Sequence, residues 1–219
     1  MTKIEWTDES WNPITGCSND CGWCYAKKFT KRLAGRFGYP KTKPFKPTFH
    51  KDKLDKPYHW KKPRKVFVDS MGDFFDKGVK REWQEKVLKV IEDNQRHTFQ
   101  ILTKVPENIP QDIKFPQNLW IGVSITKFED RQRIITLISM VKKEQHTFVS
   151  IEPCLDDYVS DYVYLCDWII VGGLTGKKKP FRPKNETIEN LIFDCKRLKK
   201  PLFIKDNLGY SKKIQEFPK

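Results

Sequence analysis

The chain has 219 residues and a formal net charge of +14, a length that suits one sizeable core, so a single domain spanning residues 1–219 is expected. No run approaches the roughly 18 apolar residues of a membrane span, and the opening MTKIEWTDES lacks the basic flank and apolar stretch of a signal peptide. A cytoplasmic protein with no membrane partner is expected. There its six cysteines would stay reduced, which disfavours a disulfide framework and turns any tight cysteine cluster toward metal or redox chemistry.

Such a cluster comes first in chain order. TGCSNDCGWCYAKKF, residues 15 to 29, places Cys17, Cys21 and Cys24 on a loop ahead of a helix, YAKKFTKRLAG, from residue 25. Structural zinc closes a tetrahedron with four ligands, usually from two cysteine pairs. A second pair is missing, because Cys154, Cys166 and Cys195 are isolated. Thiolates also hold iron–sulfur clusters, and a 4Fe-4S cluster held by three cysteines keeps one iron without a protein ligand. That open iron can chelate a small molecule and pass it an electron.

Residues 36 to 65 follow, with eleven Lys or Arg against Asp52 and Asp55, and with Phe37, Tyr39, Phe45, Phe49, Tyr58 and Trp60. Two readings stand. Lys and Arg hold phosphates while bases stack on aromatics, which suits DNA or RNA; or the segment is a proline-stiffened excursion whose aromatics pack on the core.

From residue 65 short apolar strands alternate with amphipathic helices. Strands are predicted at KVFVDS from 65, HTFQILT from 97, NLWIGVSI from 118, HTFVSIE from 146, DWIIVGG from 167 and PLFIK from 201. VKREWQEKVLKVIEDN sets Val79, Trp83, Val87, Val90 and Ile91 on one helical stripe. TKFEDRQRIITLISMVKK opens with Thr126 and Glu129 spaced as a capping box. NETIENLIFDCKRLKK carries Ile188, Leu191, Ile192, Cys195 and Leu198 on its stripe. The alternation predicts an α/β fold of βαβ units around a parallel sheet, either a barrel or a doubly wound sheet. A second basic segment, KKKPFRPK at 177–184, adds five charges with no acid. The two segments together account for the whole surplus, which argues for a polyanionic partner over a uniformly basic surface.

Function in either architecture belongs at the C-terminal ends of the strands. Those ends present Asp69, Ser70, Met71, Gly72 and Asp73, then Thr103 and Lys104, Ser124, Glu152 and Pro153, Gly172 and Gly173, and finally Lys205 and Asp206. Each alone reads as a turn or a cap. Together they predict a lined cavity.

The cysteine spacing C-x3-C-x2-C, with aromatic Trp23 before the last cysteine, resembles the signature of the radical SAM superfamily. KIEWTDESWNPITGC, VDSMGDFF, HTFQILTK, WIGVSIT, FVSIEP, WIIVGG and PLFIKDN, in that order and over nearly the whole chain, are similar to a compact phage- and microbe-associated radical SAM family of unassigned function, related to the spore photoproduct lyase branch. The resemblance implies a partial (β/α)6-type TIM barrel with the 36–65 segment as an excursion. It implies an enzyme that cleaves S-adenosylmethionine (SAM) reductively at a three-Cys 4Fe-4S cluster, producing methionine and a 5′-deoxyadenosyl radical. An electron donor such as a flavodoxin or ferredoxin is implied as a partner.

Position by position, the resemblance makes Cys17, Cys21 and Cys24 the metal ligands and sets Ser70, Met71, Gly72 and Asp73 in the place of the superfamily's glycine-rich, acid-ending motif, where Asp73 receives the SAM ammonium. Trp23, Lys104, Ser124, Arg133, Glu152, Gly172 and Gly173 complete the expected cofactor-binding set, with Lys104 or Arg133 neutralising the carboxylate and the two glycines beside the adenine. The chain departs from the family in reading GGLTG, with Leu174 in place of an acid, and in having Cys154 after Pro153. Cys154 is either a small buried residue or a catalytic hydrogen-atom donor. A nucleic acid or nucleotide-containing substrate is the leading expectation. Radical modification of a peptide or metabolite, and a non-catalytic Fe-S nucleic-acid-binding module, are the alternatives.

Overall fold

The computed structural model describes residues 4–19, 21–157, 159, 161–174 and 181–218. The chain divides into two units, Met1–Trp120 and Ile121–Lys219.

The first unit opens with β1 (Glu9–Trp11) and β2 (Ile14–Thr15), then α1 (Tyr25–Leu33), β3 (Thr48–Phe49), β4 (Lys65–Val68), α2 (Arg81–Asp93) and β5 (Thr98–Thr103). β1 lies parallel to β4, with Trp11 opposite Val68, and β4 lies parallel to β5, with Val68 opposite Ile101. β2 and β3 form a separate two-residue antiparallel ladder, Ile14 opposite Phe49. Val66, Val68, Phe99 and Ile101 are buried, as the near-continuous apolar runs of a covered parallel sheet require. α2 turns Val87, Leu88, Val90 and Ile91 inward.

β6 (Leu119–Ile125) begins at the unit boundary. The second unit then carries α3 (Gln132–Met140), β7 (Thr147–Ile151), β8 (Trp168–Val171), α4 (Asn185–Arg197) and β9 (Leu202–Ile204). β6 through β9 pair in parallel, with Val123 opposite Val149, Ile151 opposite Val171 and Ile170 opposite Phe203. All residues of β7 and β8 are buried. α4 buries Ile188, Leu191 and Cys195, so Cys195 is the small core residue its stripe predicted, whereas Leu198 is exposed.

In sheet order the strands read β1-β4-β5-β6-β7-β8-β9. From β4 onward spatial order follows chain order. A doubly wound sheet would reverse at a switch point; this chain is singly wound, the α/β topology of a partial (β/α) barrel. β1 was not anticipated, because the polar ESW offers no apolar run. The capping box expected at Thr126 and Glu129 does not form. Thr126 instead gives its N–H and its hydroxyl to Asp130 Oδ2, at 2.9 and 2.7 Å, and a 3-10 turn at Phe128–Arg131 precedes α3. Val79 lies before α2 and not on its stripe.

Gly122 shows why a strand interior tolerates glycine. It sits opposite Phe148, and a Cβ there would meet the Phe148 ring at 2.7 Å. Gly122→Ala is expected to lower stability by about 1–3 kcal/mol through overpacking, and Phe148→Leu in the same chain is expected to recover part of it; denaturant melts of the two variants check this.

Candidate functional site

Backbone contacts bring the cysteine loop to the end of β4. The Gly16 N–H donates to the Met71 carbonyl at 2.9 Å, and Gly16 and Gly72 form a parallel bridge. A Cβ on Gly72 would lie 2.8 Å from the Gly16 carbonyl oxygen, and one on Gly16, which holds φ +84°, would lie 2.5 Å from the carbonyl oxygens of Phe45 and Lys46. Glycine is needed at both positions, for space at Gly72 and for space and conformation at Gly16. Beyond the bridge, Ser18 donates its N–H and its hydroxyl to Asp76 Oδ2, at 2.7 and 2.6 Å. Asn12 Oδ1 accepts from the Met71 N–H at 3.0 Å and the Ser70 hydroxyl at 3.1 Å. The Tyr25 hydroxyl donates to the Ser70 carbonyl. Asp69, with φ +56°, accepts the Ile14 N–H on Oδ1 at 2.9 Å. The turn 70–73 and the cysteine loop are therefore one construction, and the space beside Gly72 is taken by the loop itself.

Cys17, Cys21 and Cys24 are free and half-buried, whereas Cys154, Cys166 and Cys195 are free and buried. Cys24 caps α1, its Sγ accepting the Lys27 N–H at 3.3 Å. Burial first, with the nearby charges of Asp73 and Asp76 acting in the same direction, pushes the Cys17 thiol up to about 12. Those charges would favour a metal cation for the reason they disfavour a bare thiolate. Three loop thiols fit a thiolate-held cluster in donor type and number. Among the described residues no three His, Cys, Asp or Glu side chains are gathered as a metal set.

Asp73 is buried and held from within the first unit. Oδ1 accepts from the Thr103 hydroxyl at 2.7 Å and the Phe75 N–H at 3.2 Å, while Oδ2 accepts the Lys104 N–H at 3.0 Å. It clamps the end of β5 to the turn after β4. A carboxylate offers about four lone-pair sites, so these three donors leave room for one more. Burial pushes its carboxyl above the usual range, against those three hydrogen bonds. Lys104 reaches Asp73 through its backbone, and Trp23 is exposed.

The strand ends of the second unit make a separate group. Glu152, after β7, forms an ion pair with Lys205, after β9. Gly172 makes room for it: a Cβ there would meet Lys205 Cδ at 2.9 Å and Glu152 Cδ at 3.2 Å. The Asn207 side-chain amide closes on the Gly173 backbone, accepting its N–H and donating to its carbonyl, both at 3.0 Å. The Ser124 hydroxyl donates to the Glu152 carbonyl at 3.4 Å, and Arg133 is committed to the Ser124 carbonyl and to Asp130, each at 3.0 Å. The Cys154 thiol is pushed up to about 11 by burial and donates to the Asp156 carbonyl at 3.4 Å. Asn207 was missed by the sequence reading. Its position two residues after Lys205 at a strand end was the available signal.

The family model described as Protein of unknown function (DUF5131) matches residues 1–217. The chain belongs to that family. No curated protein matches it. Two solved structures are similar in outline. One is a spore photoproduct lyase complexed with dinucleoside spore photoproduct, at 10% identity and a TM-score of 0.48, covering 87% of this chain and 74% of the other. A cysteine-to-serine mutant of spore photoproduct lyase also matches, at 10% identity and a TM-score of 0.49, covering 89% of this chain and 75% of the other. At these scores neither carries an argument about the DUF5131 chain.

In the DUF5131 chain the basic excursion is divided. Tyr39 is buried, Phe49 stacks on Trp83 at 5.6 Å, and Trp60 meets His97 edge-on at 5.5 Å. Phe37 and Tyr58 are exposed. Three of the six aromatics expected to stack on bases thus pack on the first unit. Of the second basic segment, residues 177–180 lie outside the described residues.

Two outcomes follow from the loop's anchorage. Gly72→Ala is expected to displace the cysteine loop while keeping secondary structure, read as faster alkylation of Cys17 at unchanged circular dichroism; an unchanged rate would show that the bridge does not hold the loop. His50, hydrogen-bonded to Thr15 through Nε2 at 2.8 Å, has its pKa pushed down from 6.5 to about 4 by burial, with Lys53 next. The unfolded chain takes up a proton that folded His50 refuses, so stability falls as pH drops from 6.5 to about 4, by at most roughly 3 kcal/mol. His50→Gln is expected to lose this contribution to the pH slope in denaturant melts, and equal slopes would contradict it.

Proposed function

We propose that this chain is a radical SAM enzyme. The observation that supports this most is the anchorage of a three-cysteine loop, through Gly16 against Gly72, to the strand-end turn that the superfamily resemblance assigns to SAM. Cys17, Cys21 and Cys24 would hold a 4Fe-4S cluster. When bound, that cluster supplies the electron that splits SAM into methionine and a 5′-deoxyadenosyl radical, which takes a hydrogen atom from the substrate.

The chain's own residues do the rest. Ser18 and Asp76 hold the loop at its first cysteine. The Asn12 bonds to Ser70 and Met71 keep the turn in place. Asp73, with three donors in place, has acceptor capacity left for an ammonium group. In the second unit, Ser124, Glu152, Gly172 and Gly173 are carried as SAM-binding residues on the resemblance alone. Arg133 is engaged internally, which leaves Lys104 the better candidate for a carboxylate. The substrate we propose is a nucleic acid or a nucleotide-containing molecule, on the strength of the basic surplus. A small flavodoxin- or ferredoxin-like protein would supply the electron. No helix among the described residues is long and apolar enough to cross a membrane.

Anaerobically purified protein is expected to be brown with about four irons per chain, and Ala at Cys17, Cys21 or Cys24 to abolish them. Ala at Cys154, Cys166 or Cys195 should leave iron in place. Reduction in the presence of SAM should release 5′-deoxyadenosine. One zinc and no iron under strictly anaerobic handling would falsify the reading.

A further inference from the structure

Exposed aromatics are not confined to the basic excursion, where Phe37 and Tyr58 face outward. α1, directly after the cysteine loop, carries Tyr25, Lys28, Phe29 and Arg32 at spacing i, i+3, i+4, i+7, which is a single stripe on a helix. A stripe of this kind ordinarily faces a core. Here Tyr25 is 57% and Phe29 48% exposed, Lys28 and Arg32 are exposed, and the buried positions of the helix are Ala26 and Thr30.

The turn after α1 repeats the pattern. Phe37 is 75% exposed and holds φ +50° between Gly35 at +74° and Gly38 at +79°. A bulky residue in the left-handed region is strained, and such strain concentrates at functional sites. Residues 21 to 51 contain nine Lys or Arg and not one Asp or Glu.

We infer that α1 and the turn at Phe37 form a binding surface for single-stranded nucleic acid, with Phe29 and Phe37 as stacking platforms and Lys28, Lys31, Arg32 and Arg36 as phosphate contacts. The absence of acids over the whole segment matches a polyanion. Exposed aromatics distinguish a single strand, whose bases are open to stacking, from a duplex. An acidic protein is the other polyanion to weigh, but charged residues are depleted at the core of protein interfaces, whereas here Lys28, Lys31, Arg32 and Arg36 flank Phe29 and Phe37 in sequence. The inference rests on the nucleic-acid reading of the substrate and is independent of the cluster.

The test uses the full chain and fluorescent oligonucleotides of about 12 nucleotides, single-stranded and duplex, across a salt series. Phe29→Ala and Phe37→Ala are each expected to weaken single-strand binding about tenfold or more, with duplex binding little changed. Lys28→Ala with Arg32→Ala should weaken both and lower the slope of log affinity against log salt by about 1.4 for single strands. Circular dichroism melts establish that each variant is folded. If the wild-type chain binds single strands and all these folded variants bind as it does, the surface is elsewhere, and the inference falls while the substrate reading stands. If the wild-type chain binds no nucleic acid even at low salt, both fall. Failure to bind nucleic acid together with variant-sensitive binding of an acidic flavodoxin would reassign the surface to the electron donor.

Discussion

Two glycine backbones in contact set the geometry on which the candidate site depends. Gly16 and Gly72 pass so closely that a methyl group at Gly72 would sit 2.8 Å from the Gly16 carbonyl oxygen. The contact has no side chain to make it and no room for one. Three side chains brace it: Asp69 holds Ile14, Asn12 holds Ser70 and Met71, and Asp76 holds Ser18. On the proposed reading the loop would present three thiols at one place, and it would gain from being tied at its base through main chain, because backbone hydrogen bonds position it without engaging the thiols.

The same economy appears in the second unit. Gly172 leaves the space that the Glu152–Lys205 pair occupies, and Gly173 offers both of its backbone groups to Asn207. Lys205 is largely buried there, so its charge requires the Glu152 partner. Removing either partner would leave a charge stranded, which is far costlier than loss of an exposed pair. Glu152 and Lys205 therefore have an architectural duty that any ligand contact would be added to.

The parallel α/β order was legible because buried strands and amphipathic helices have different periods, and the apolar runs at β4 through β9 are long enough to show theirs. β1 was not, since its three residues owe their place to pairing with β4, a long-range fact with no local signal. The choice between a barrel and a doubly wound sheet likewise depends on strand order alone. At the site, Cys17, Cys21, Cys24 and Gly72 stood out through residue type and spacing. Asp76, Asn12 and Asn207 did not, because a clamping acid or amide looks in sequence like any turn residue. The aromatics misled for a physical reason: Phe49 and Trp60 lie among lysines in sequence yet pack on Trp83 and His97, while Phe29, on a helix that reads as ordinary, faces outward.

The central claim is that the loop holds a cluster with one iron open to SAM. Electron paramagnetic resonance of the reduced, reconstituted protein tests it most directly, before and after SAM is added. A four-iron signal that changes on adding SAM is the expected result, because a ligand at the open iron alters the cluster's electronic structure. A four-iron signal identical with and without saturating SAM would contradict the account, however well the loop is anchored.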